Sequence, residues 1–139
     1  MSLDELRERG EQVRRNLLGS DAIDKLDSDL YTDDWVMERF RDLCEEIVFG
    51  VTWSREGLDL KTRSLVTMVS DVATGEQDAL SLHVRFCRRF GYTEEEIVEV
   101  ILHLMSYVGV PLARRALITC KQVFADIRAE EAAGGTPLA

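Results

Sequence analysis

The sequence predicts an all-α fold of about six helices, and three observations carry that expectation. Strand signals are nearly absent. Apolar residues recur at spacings of three and four. Glycines also stand about every twenty residues along much of the chain, at Gly19, Gly50, Gly75, Gly91 and Gly109, each at the end of such a stretch.

Leu3, Leu6, Gly10, Val13 and Leu17 form one stripe, so the first segment reads as an amphipathic helix ended by Gly19. A short helical piece is expected over Asp21 to Leu30. Thr32 or Asp33 can cap the next helix, on which Trp35, Phe40, Leu43 and Ile47 share a face and which Gly50 is expected to close. Val51 to Leu58 reads as a loop. From Asp59 the helical pattern returns through Leu65, Met68, Val69 and Val72, and stops at Gly75. Glu76 to Phe90 is a further helix. Thr93 and Glu96 form a capping box for a helix running to about Val108. Pro111 suits the first turn of the last helix, which carries Leu112, Ala116, Leu117, Cys120, Val123, Phe124 and Ile127 inward.

The 139 residues suit one domain, read as 1–131, with a small, Gly-rich tail at 132–139 expected to be disordered. A hydrophobic fraction of 45% and a mean hydropathy of -0.12 are ordinary for a globular chain. The net charge of -9 opposes nucleic acid and anionic membranes, so neither is expected as a partner. No apolar run is long enough to span a bilayer, and the acidic start lacks a signal-peptide core. Cys44, Cys87 and Cys120 are odd in number and without a CxxC pair, which fits a reducing compartment and argues against a disulfide framework or zinc site. A cytoplasmic location is the expectation.

Phosphate-loop, dinucleotide, HExxH and GxSxG signatures are missing. The candidates for chemistry are therefore the only two histidines. His83 lies on an apolar helix face with Cys87 one turn on, and His103 lies in the most apolar helix. Each could be a hydrogen-bonded core residue, but two in one small chain raise the prospect of a shared pocket, and imidazole is the natural proton donor near neutral pH. Cys87 reads better as a small buried hydrophobe than as a nucleophile. Arg63 could clamp a carboxylate or pair with Asp59, Asp71 or Glu56. Trp53 and Tyr107 could wall a pocket or fill a core. No metal is expected, because the two histidines stand on separate helices without a matching carboxylate cluster. Val100 to Val108 is apolar nearly all round, which suggests cover by another subunit.

Three blocks, taken in order, resemble the carboxymuconolactone decarboxylase family, whose wider membership includes alkyl hydroperoxide reductase D-type peroxidase partners. They are Trp53 to Leu65; Leu82-His83-Val84-Arg85 with Gly91 to Ile97; and Glu99 to His103 with Tyr107 to Pro111. The resemblance covers about residues 35 to 127. It implies an all-helical homo-oligomer, a trimer or hexamer, acting without a cofactor on a small carboxylate or lactone in aromatic-compound catabolism. Glu76 and Ala79 stand where the peroxidase branch has its cysteines, so dithiol chemistry is not expected. The decarboxylase branch fits better, although Val51-Thr52 and Ala79 stand where it often has carboxylates. By this resemblance His83 would deliver a proton, Arg63 would bind carboxylate and His103 would assist. Trp53, Tyr107 and Cys87 would touch the substrate.

Overall fold

The structure is a computed structural model and describes residues 1–135. Among these residues it is all helical: α1 (Leu3–Leu18), α2 (Ser20–Leu26), α3 (Trp35–Leu43), α4 (Leu60–Thr74), α5 (Gln77–Arg89), α6 (Glu94–Val108) and α7 (Val110–Ala132). Two wider π-helical turns extend α2 over Asp27–Tyr31 and α3 over Cys44–Thr52. The contacts divide the chain into two compact units, Met1–Asp59 and the part from Leu60 onward. Of the expected tail, Ala132 ends α7 and 133–135 follow it, while 136–139 lie outside the described residues.

In the first unit, Ser2 and Glu5 form a capping box that satisfies two free amides at the start of α1. The helix then crosses the π-helical segment at very short range. A Cβ on Gly10 would overlap the Glu45 carbonyl, 2.7 Å from its carbon, and one on Gly50 would lie 2.5 Å from the Leu6 carbonyl oxygen. This corrects the reading of Gly50 as a helix stop. The helix runs through it to Thr52 and closes with the Trp53 amide donating to the Val48 carbonyl at 2.8 Å. Gly50 is there because two backbones meet. The cap of α3 also moves by one or two residues. Asp34, not Thr32 or Asp33, accepts from the Val36 amide at 2.9 Å, while Asp33 sits in the left-handed region at φ 62°.

Arg14 is buried in this unit and divides its guanidinium between Asp27 and Glu45, 2.6 Å from each, with the Tyr31 ring 5.8 Å away. Burial pushes the Glu45 carboxyl above its ordinary value, and Arg14 works against that shift. On α3, Phe40, Leu43 and Ile47 do share a face, but that face is exposed, as is Trp35 (70%).

The second unit has a continuous apolar core. Met68 and Val72 of α4 meet Leu80, Val84 and Cys87 of α5, Ile97 and Ile101 of α6, and Ala116, Cys120, Val123 and Ile127 of α7. Each larger aliphatic side chain contributes about 1.5–3 kcal/mol by leaving water. Thr93 and Glu96 form the expected capping box. Gly109 at φ 98° turns the chain from α6 into α7, and a left-handed residue there favours glycine. Arg85 of α5 forks onto Glu130 of α7 at 2.7 and 3.0 Å, tying those helices at the surface. Within α6, Leu104 and Val108 pack on the core, whereas Leu102, Met105 and Tyr107 stay exposed. No helix among the described residues is long and apolar enough to cross a membrane.

Candidate active site

The site is built from α4 and α5, consecutive helices joined by the turn at Gly75 and Glu76. Leu80, Val84 and Cys87 fix the buried face of α5. His83 lies on its flank, with 18% of its side chain exposed, and its ring sits 5.1 Å from that of Phe86. Its Nδ1 lies 2.5 Å from Oδ2 of Asp71 on α4. Asp71 is itself only 7% exposed. The imidazole is therefore held through Nδ1 by a buried carboxylate.

Asp71 is the residue that sequence reasoning missed as a partner of His83. It entered only as a possible partner of Arg63, yet it belongs to His83. A signal was present: a lone carboxylate between Met68 and Val72, both core positions of α4, needs a partner inside the fold. The resemblance left the site short of carboxylates at Ala79 and Val51-Thr52, and α4 supplies one from a different position.

Arg63 is half-buried on α4. Arg63, Thr67 and Asp71 follow one another at i, i+4 and i+8, so they lie along one side of that helix. At 1.5 Å per residue, Arg63 stands about 12 Å along the axis from Asp71.

The other candidates are placed differently. His103 is exposed on α6 and pairs with the ring of Tyr107 at 5.3 Å; Tyr107 is itself 77% exposed. Cys87 is wholly buried, with its sulfur 4.0 Å from that of Met68. Burial, then the neighbouring Cys120 and Asp71, push its thiol up to about 12, so it is no nucleophile at neutral pH. Trp53 belongs to the first unit, where it is buried and its ring lies 5.9 Å from that of Phe49. A cavity of about 330 Å³ lies between α6 and α7, lined by Met105, Val110, Ala113, Arg114, Leu117, Ile118 and Lys121, and none of the candidate residues lines it. No cluster of three or more metal-ligating side chains occurs among the described residues.

Comparison with known proteins bears on the chemistry. The chain is 35% identical over 119 residues to a 4-carboxymuconolactone decarboxylase of Acinetobacter baylyi, covering 86% of this chain and 87% of that one. It is 33% identical over 128 residues to the nitrosuccinic acid decarboxylase npaB of Metarhizium robertsii, covering 89% and 87%. An uncharacterized 15.0 kDa protein of Paracoccus denitrificans is 36% identical over 83 residues, or 58% of this chain and 62% of that one. The first two matches run through α4 and α5 and support a carboxy-lyase. Residues 37–121 also match the model of one protein family, and on these grounds the chain belongs to the carboxymuconolactone decarboxylase family.

Proposed function

We propose that the chain decarboxylates an unsaturated carboxy-lactone of the 4-carboxymuconolactone kind, with His83 as the proton donor. The observation that carries this reading is the carboxylate-held imidazole of His83 on α5, in a chain whose relatives over most of its length are decarboxylases.

The step balances without an added oxidant or reductant. The bond between the ring carbon and the carboxylate breaks, carbon dioxide leaves, and the electron pair spreads into the conjugated system. A proton from His83 Nε2 then closes the valence at carbon. The substrate is its own electron sink, so the proposed reaction asks for no cofactor. Arg63 holds a carboxylate through its planar fork. General acid catalysis of this kind contributes about 10²–10⁴ in rate. His103 assists and Tyr107 encloses. Their exposure on α6 supports the further reading that the working form is a homo-oligomer, a trimer or hexamer, in which a neighbouring copy covers that face. Light scattering on the purified chain tests the assembly. A role in cytoplasmic catabolism of aromatic compounds follows from the same substrate.

The relative acting on nitrosuccinic acid favours a second reading, in which the substrate is a small open-chain carboxylic acid and the histidine does the same work. Both are tested by mixing purified protein with carboxymuconolactone, or with nitrosuccinate, and following loss of substrate absorbance and release of carbon dioxide. Turnover of the lactone that His83→Ala abolishes, with assembly unchanged, supports the first reading. Turnover of the open-chain acid alone supports the second. Full activity of His83→Ala on either substrate refutes the assignment of His83.

A further inference from the structure

We propose that Asp71 is a positioning residue for His83. It holds the ring with its proton on Nδ1 and so makes Nε2 the atom that exchanges a proton with the substrate. This deepens the reading of His83 as proton donor and rests on it.

Asp71 serves the fold poorly. It lies in the last turn of α4, the negative end of the helix, where a carboxylate is disfavoured. It is buried between core positions, one turn from Met68 and beside Val72. No lysine or arginine pairs with it among the described residues, and its one side-chain partner there is His83. Its own carbonyl is occupied by the Glu76 amide at 3.0 Å, which the main chain supplies whatever the side chain. A leucine here would extend the core and remove a buried anion, a type of exchange that is often neutral or stabilising. A residue that breaks local rules in this way without structural return is expected at a functional site.

The geometry then says what the carboxylate does. An ionised carboxylate only accepts hydrogen bonds, so the 2.5 Å approach requires the hydrogen on Nδ1. In the neutral ring this leaves Nε2 as an acceptor, and in the charged ring it makes Nε2–H the one donor free for another molecule. The contact also sets the rotation of the ring on α5. Without it, the two tautomers compete and the ring can turn, so the working nitrogen is aimed at substrate for only part of the time.

The chain has only two histidines, so nitrogen-15 spectra of the imidazoles can be assigned with one variant, His103→Gln. In the full-length labelled wild type at a pH where the ring is neutral, His83 is expected to give the Nδ1–H pattern. Asp71→Leu is expected to convert it to the Nε2–H pattern while leaving the His103 signals in place. On whichever substrate turns over, Asp71→Leu and Asp71→Asn should lower kcat about 10- to 100-fold, part of the range available to a general acid, with KM changed less than about twofold. Asp71→Asn keeps a polar group of the same shape and serves if the leucine variant does not fold. An Nε2–H pattern in the wild type overturns the proposal, as does a tautomer or a kcat that neither substitution alters. The two readings fail separately: activity that survives His83→Gln refutes the proton donor, whereas the wild-type tautomer judges Asp71 without any substrate.

Discussion

Gly10→Ala should destabilise the first unit by about 2 kcal/mol, although the substitution favours the helix in isolation. Alanine in place of glycine within a helix gains about 1 kcal/mol from reduced backbone entropy in the unfolded chain. Here the added methyl would overlap the carbonyl of Glu45, 2.7 Å from its carbon and 3.0 Å from its Cα. Ordinary carbon contacts lie at about 3.5–4.0 Å, so the helix and the π-helical segment must part by roughly 1 Å, and a gap of that size forfeits a quarter to a half of each dispersion contact. The obstacle is backbone and cannot rotate away. Two ion pairs cross the same junction, Arg14 to Glu45 at 2.6 Å and Arg7 to Glu46 at 2.5 Å, and both stretch with it. Overpacking costs about 1–3 kcal/mol, and loss at the ion pairs places this case at or above the upper end, leaving about 2 kcal/mol after the helical gain. Both tryptophans, Trp35 and Trp53, lie in this unit, so their fluorescence during urea unfolding reports on it directly. With a slope of about 1–3 kcal/mol per molar urea, the midpoint should fall by about 1 M with the slope unchanged. Gly57→Ala, where a Cβ would meet nothing within 4 Å, is the control and should stay within about 0.5 kcal/mol. A Gly10→Ala midpoint at or above wild type would refute the close-approach argument.

Two further predictions follow from the buried polar groups. Arg14→Ala leaves Glu45 and Asp27 without their shared cation and should cost about 3–5 kcal/mol; a loss under 1 kcal/mol in the same urea assay would show that the pair is bridged by solvent. Burial pushes the thiols of Cys87 and Cys120 up to about 12. Because the folded state holds these protons more tightly than the unfolded chain, the associated stability is full below the unfolded value near 9 and is lost as pH rises toward 12. Unfolding free energy should therefore decline between pH 9 and 12, and both thiols should resist a disulfide reagent at pH 8 until the chain is denatured. Rapid labelling of either in the native protein would contradict their burial.

Periodicity, caps and glycine spacing are local properties, and they were sufficient for the all-α class, the capping box at Thr93 and Glu96, and the inward side of α7. His83 and Arg63 could be singled out in the same way, because a histidine on an apolar face and an arginine near a helix start are visible along the chain. What surrounds His83 was not visible. Asp71 is twelve residues away on another helix, and only the packing of α4 on α5 turns a buried carboxylate, costly by itself, into a partner for imidazole. The glycines teach the same lesson. Gly109 ends a helix because its own φ is left-handed, a local requirement that spacing reveals. Gly50 looks identical in sequence, yet its cause is a carbonyl of Leu6 on a different helix. Preferences set by a residue and its near neighbours are written in the sequence itself; the pairing of groups from separate helices, which fixes the site, is decided only when tertiary packing brings them together.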